Sequence, residues 1–190
     1  MTTLRFLGIS GSLRAGSFNT FALRAARELA PEQVSIELAD ISGIPLYNDD
    51  VRIAGMPPSV VALQSAIAAA DAVIIATPEY NFSVSGVLKN AIDWISRTDP
   101  QPFRDKPVGI IGASMGMAGT ARAQYDLRKS FLFLDAHVLN KPEIMIAAAH
   151  TRFDAEGRLT DEATRGFLKA MLVALRDWTL RLRNSATISV

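Results

Sequence analysis

Unbroken apolar runs of five to eight residues alternate along this chain with segments whose apolar positions return every three or four residues. A continuous run suits a strand covered on both faces, and the longer period suits a helix lying over it, so the pattern predicts βα units wound on a parallel sheet. Strands are expected at Leu4 to Ser10, Val34 to Asp40, Ala72 to Pro78 and Val108 to Ala113, with a broken fifth between Ala136 and Ile146. Helical stripes run through Phe18, Ala22, Ala25 and Leu29, through Val60, Leu63, Ile67 and Ala70, and through Leu88, Ala91, Ile92 and Ile95. A last helix opens at the cap-like Thr160 and carries Phe167, Met171, Leu175, Trp178 and Leu182 toward the sheet. Ile41 to Pro58, with three prolines and two glycines, follows neither period and reads as a lid or contact loop. The tail after Arg183 is expected to fray.

Three strand ends carry the residues that look chemical. After the first strand, Ser10, Ser12, Arg14, Ser17 and Asn19 crowd a turn that enters a helix. Free N–H groups and the positive end of the helix dipole suit a phosphate there, with hydroxyls and a guanidinium added. The glycines at 8, 11 and 16 spell neither a nucleoside triphosphate loop nor a dinucleotide fingerprint, so a monophosphate ester fits better than a pyrophosphate. The same residues also serve an ordinary N-capped turn.

The third strand ends in Pro78, Glu79, Tyr80, Asn81 and Phe82, able to offer backbone donors and an aromatic wall to a flat ring, or simply to staple a loop to the core. The fourth ends in Ser114, Met115 and Gly116, small enough for backbone to approach a ligand, or for a plain glycine turn. In a doubly wound sheet ligands sit beyond the strand ends where the winding reverses, which is between the first and third strands.

Composition narrows the chemistry. There is no cysteine, so thiolate catalysis, thiolate metal sites and iron–sulfur clusters are excluded, and redox work needs a borrowed cofactor. Twenty basic and 19 acidic residues, without long like-charged blocks, give a net charge of +1 and no footprint for nucleic acid or an anionic membrane. No apolar run is long enough to span a bilayer and no charged leader precedes one, so the protein is expected to be cytoplasmic. His137 and His150 show no carboxylate at ligand spacing and read as structural; no metal is expected.

Taken together, Gly11-Ser12-Leu13-Arg14 with Ser17 and Asn19, Pro78-Glu79-Tyr80-Asn81 running into Gly86-Val87-Leu88-Lys89-Asn90-Ala91-Ile92-Asp93-Trp94, and Gly112-Ala113-Ser114 leading to Gly119-Thr120-Ala121-Arg122 resemble the NAD(P)H-dependent FMN reductase family, with its chromate, quinone and azo reductases. The likeness covers roughly residues 5 to 180. It implies an α/β, flavodoxin-like three-layer sandwich on a five-stranded parallel sheet, with residues 1–183 as one FMN-binding reductase domain and 184–190 as a tail. By the same likeness, Ser12, Arg14, Ser17 and Asn19 match the family's phosphate loop. Pro78, Glu79, Tyr80 and Asn81 match the segment lining the isoalloxazine ring, and Ser114 and Gly116 the loop on its far side.

The family usually has proline where Ser85 stands, and proline and further glycine where Met115 and Met117 sit. Those changes bear on loop stiffness and on the acceptor pocket. The resemblance further implies hydride transfer from NADPH or NADH through FMN to a small-molecule electron acceptor such as a quinone, chromate, an azo compound or free flavin. No residue need act as acid or base, and Glu79 is expected to be a structural carboxylate turned from the ring. A homodimer or homotetramer is implied too, with Trp94 and Tyr125, off the buried stripes, as interface candidates. A flavodoxin-type electron carrier, which needs an acidic docking face, and a non-catalytic FMN- or phosphosugar-binding module stand as alternatives.

Overall fold

The computed structural model describes residues 3–186. Its strands are β1 (Leu4–Ser10), β2 (Val34–Ala39), β3 (Ala72–Ala76), the short pair β4 (Glu79–Tyr80) and β5 (Ser83–Val84), β6 (Pro107–Ala113), β7 (His137–Val138) and β8 (Ile144–Ile146). The helices are α1 (Phe18–Glu28), α2 (Asp49–Ala54), α3 (Pro58–Ala69), α4 (Gly86–Ile95), α5 (Ala121–Phe133) and α6 (Glu162–Ala186).

The main sheet is parallel throughout, in the order β2-β1-β3-β6, and its fifth position is shared by β7 and β8, which pair with opposite ends of β6. The broken fifth strand is thus two strands joined by Leu139–Glu143. Side chains alternate across the sheet and build two cores. Ala72, Ile74 and Ala76 of β3, with Phe6 and Ile111, meet α1 and α6, whereas Val73 and Ile75, with Ile9 and Ile110, meet α3, α4 and α5. Each fully buried isoleucine contributes about 2 kcal/mol by leaving water, so both faces are anchored along the whole strand.

Several expectations are corrected. The loop from Ile41 to Pro58 contains α2, which buries none of its residues and is started by Asn48 accepting the Asp50 N–H. Trp94 is fully buried: its Nε1 donates to the Pro45 carbonyl at 2.8 Å and its ring meets Tyr47 edge-on, so it is a core residue and not part of an interface. In α6 the buried positions are Leu168, Met171, Leu172, Leu175 and Thr179, and Phe167 is exposed, one position off the stripe assigned to it. That helix is capped by Asp161, which accepts the Thr164 N–H at 2.9 Å, while the Thr160 hydroxyl turns back to the Arg152 carbonyl. It runs through Ala186, beyond the expected fraying point; residues 187–190 lie outside the described residues. His137 does have a carboxylate, Asp105, 3.3 Å from its Nε2, at the sheet edge away from the strand ends that carry the three loops.

Candidate functional site

The three loops meet. Ser12, Arg14, Ser17 and Asn19 from the first, Pro78, Glu79 and Tyr80 from the second, and Ser114 and Met115 from the third line one cleft of about 190 Å³ beyond the ends of β1, β3 and β6. Phe18 and Ala113 complete the wall. Of the residues expected there, Ser10, Asn81, Phe82 and Gly116 fall outside this lining. Larger hollows lie elsewhere, one of about 600 Å³ at the opposite sheet edge beside Lys106, one of about 580 Å³ beside Thr98 and Asp135, and one of about 370 Å³ between β8 and the start of α6. None of these hollows receives the three strand-end loops, and size alone does not make a ligand site.

The first loop is built for an anion. Ser17 caps α1 by accepting the Asn19 N–H at 3.2 Å and is itself buried. Ser12 faces the cleft, and the exposed Arg14 forms no ion pair among the described residues. Main-chain N–H groups of Leu13, Ala15 and Gly16 make no backbone hydrogen bond among the described residues, which leaves donors at the positive end of a helix. Ser10 stands behind this shell, its hydroxyl 2.8 Å from that of Thr20.

Asn19 was expected to offer its amide to a ligand; the structure gives that amide other work. Nδ2 donates to the Ala113 carbonyl and Oδ1 accepts the Ala113 N–H, each at 3.0 Å, with the side chain buried. The first and third loops are thereby locked together. Ser85 ties the first to the second: it caps α4 and its hydroxyl donates to the Gly11 carbonyl at 2.6 Å. A proline there could do neither, so this departure from the family pattern has a structural use. The third loop is pinned from behind by Ser114 N–H to Ile146 and by the Ala149 and Ala148 N–H groups to Ser114 and Gly116.

Close approach fixes two positions as glycine. A Cβ on Gly112 would lie 1.7 Å from Thr120 Oγ1 and 2.7 Å from the Thr77 carbonyl, and one on Gly119, whose φ is +54°, would lie 2.6 Å from the Met145 backbone. The third loop and the start of α5 therefore sit hard against the sheet.

Glu79 points away from the first loop toward α5. Its carboxylate accepts from Arg122 Nε at 2.6 Å and from the Ala123 N–H at 3.2 Å, and its side chain is 8% exposed. Tyr80 beyond it is half exposed, as are Leu13 and Met115 around the rim. The cleft thus offers a cationic, hydroxyl-lined end and an apolar, aromatic end, which suits a phosphate ester carrying a flat ring. Arg122, Ser85 and Thr20 were not foreseen in these roles. The signal for Arg122 was Glu79 itself, a carboxylate in an apolar loop that needed a cation.

The family model described as NADPH-dependent FMN reductase matches residues 4–151. An NAD(P)H-dependent FMN reductase of Pseudomonas aeruginosa is 58% identical over 180 residues, spanning 95% of this chain and 97% of that protein. An NADPH:quinone oxidoreductase of Arabidopsis thaliana is 48% identical over 186 residues, spanning 95% and 94%. Among solved structures, FerB, a flavoenzyme NAD(P)H:(acceptor) oxidoreductase from Paracoccus denitrificans, is similar with a TM-score of 0.85 at 36% identity, covering 94% of this chain and 98% of that one.

Proposed function

The chain belongs to the NADPH-dependent FMN reductase family, and from that membership we propose how its cleft holds FMN and what it reduces. The protein is an NAD(P)H-dependent oxidoreductase that works through FMN. When bound, FMN supplies the redox chemistry, taking hydride from the nicotinamide and passing electrons to a second substrate.

In this reading the phosphate is gripped by Ser12, Ser17, the guanidinium of Arg14 and the N–H groups between residues 13 and 16, with the α1 dipole behind them. Pro78 and Tyr80 flank the ring on one side, and Ser114 and Met115 on the other. Asn19, in the lining, and Ser85, behind it, hold the three loops at a fixed spacing. Asn81, Phe82 and Gly116 shape the rim, and Ser10 orients Ser12. The observation that carries the reading is the convergence of three separate loops, with their unspent donors, on one cleft at the carboxyl edge of the sheet.

The chain contributes no acid or base to the transfer. Glu79, the carboxylate in the lining, is already committed to Arg122 and the Ala123 N–H. The acceptor is a small molecule, a quinone first, since the rim presents Tyr80, Leu13 and Met115 and so favours a planar apolar oxidant. The chain acts as one domain that continues through α6, and its place is the cytoplasm, where NAD(P)H is at hand. Among the described residues no helix is long and apolar enough to cross a membrane. The exposed Leu46 and Ile53 around α2, and Tyr125, Leu132 and Phe133 on α5, support a homodimer or homotetramer. A monomer-sized species alone on size-exclusion chromatography would remove that part.

Mixing the purified protein with FMN, NADPH and a quinone tests the rest. Rapid NADPH loss is expected. A yellow protein without that loss would favour the electron carrier or a binding module, and a colourless one would end the flavin reading.

A further inference from the structure

The hairpin that carries Tyr80 adopts a backbone its own residues disfavour. Its two-residue turn holds Asn81 at φ 52° and Phe82 at φ 66°. Two left-handed residues in sequence make a type I′ turn, in which asparagine suits the first place and glycine is the usual choice for the second. A benzyl group in that second place adds a steric cost, so contacts from outside the turn must hold it.

Those contacts come from one face of α5. The Arg122 guanidinium lies over the Phe82 ring, 3.8 Å from its centroid, and the same group pairs with Glu79 at the base of the hairpin. The other Glu79 oxygen takes the Ala123 N–H in the first turn of the helix, where the dipole favours an anion. One turn on, the Ser83 hydroxyl donates to Asp126, whose carboxyl is held below its ordinary 3.8 by Lys129 first and Ser83 next. Base, tip and returning strand of the hairpin are each met by the helix, and Arg122 touches two of the three.

We infer that Arg122 is a positioning residue which, by bridging Glu79 and Phe82, holds the Asn81–Phe82 turn in its left-handed form and so fixes Tyr80 as a wall of the cleft. What that wall touches rests on the FMN reading above; the clamp on the hairpin does not. Arginine suits the task because a planar cation can stack on a ring and present its N–H edge to a carboxylate at once, which a lysine ammonium cannot do.

The test uses the full chain with Arg122→Gln, Arg122→Lys, Glu79→Gln and the Arg122→Gln/Glu79→Gln double variant. In flavin-free protein, hydrogen exchange is followed at the amides of Asn81 to Val84 and in β3 and β6. Affinities for FMN and for riboflavin follow from fluorescence titration. Arg122→Gln is expected to speed exchange in the hairpin by about tenfold, leaving β3 and β6 as they were. Loss of the bridge and of the stacked cation should raise Kd for FMN and riboflavin by the same factor, about tenfold. Arg122→Lys should recover only a minor part of either effect, and the double variant should be no worse than the worse single by more than about twofold, because both changes break one bridge.

Unchanged hairpin exchange, full recovery by lysine, or faster exchange spread evenly over the chain would each overturn the inference. A parent that bound neither flavin, with hairpin exchange still raised by Arg122→Gln, would leave the clamp standing and remove the FMN reading instead.

Discussion

Asn19 and Ala113, 94 residues apart in sequence, share two hydrogen bonds of 3.0 Å between one side-chain amide and one peptide unit. The bridge joins the start of α1 to the end of β6, where pairing with β3 has already ended at Ile111 and only β8 still runs alongside. Asn19→Ala would leave a buried N–H and a buried carbonyl without partners. The expected cost is about 3 kcal/mol in denaturant unfolding, with weaker FMN binding as the first and third loops part. Equal midpoints for variant and parent would show that water or a shifted loop replaces the amide.

Arg14 makes no ion pair among the described residues, so its charge is free for a ligand. Arg14→Met is expected to weaken FMN binding about tenfold to a hundredfold, the worth of one charge-assisted hydrogen bond, and to leave riboflavin binding unchanged. Parallel titrations of the two flavins check this; an equal loss for both would move Arg14 from the phosphate to the ring.

Gly112→Ala places a methyl group where Thr120 Oγ1 already sits. Thr120 is fully buried at the head of α5 with φ +70°, so the helix would have to back away from the sheet. A loss of about 3 kcal/mol or more is expected, read as a lower melting temperature or as insoluble protein. Gly116→Ala, where a Cβ meets only Ser114 Oγ at 3.9 Å, serves as the tolerated control.

Acid should loosen the fold through a few half-buried carboxylates. Asp154 is held below its ordinary 3.8 chiefly by the Arg158 N–H, Asp161 by the Thr164 hydroxyl, and Glu143 below 4.5 chiefly by Lys141. With folded values lowered, the unfolded chain binds more protons in this range, so stability rises with pH across it. The contribution is complete above the ordinary values and is lost as pH falls through the lowered ones. Melting temperature is therefore expected to stay level above about pH 5 and to fall below about pH 4, and Asp161→Asn should make that fall shallower. A melting temperature still level at about pH 3 would assign these bonds no share in stability.

Much of this was legible in the sequence. The long strands were readable because β3 and β6 are buried on both faces and appear as unbroken apolar runs, as does β1 beyond its exposed Arg5, and β1 was bounded correctly at both ends. The clustering of Ser12, Arg14, Tyr80 and Ser114 followed from a rule about strand ends. What was not readable depended on partners far away in sequence. The bridge from Asn19 to Ala113 could not be seen from either residue, and Trp94 looks like an interface residue until Pro45 and Tyr47 close over it. The β4–β5 hairpin escaped notice because its turn, Asn81-Phe82, lacks the glycine that announces such turns.

The tie between Ser85 and Gly11 has a consequence for how such a protein can change. The cleft's floor is joined by bonds within the protein that reach across the fold, so its shape does not rest on ligand contacts alone. Leu13, Tyr80, Met115 and Met117 stand on the exposed margin above that floor. Replacing them is expected to alter which oxidants are admitted while the scaffold beneath stays as it is, so that a new appetite for substrates could be acquired there one side chain at a time.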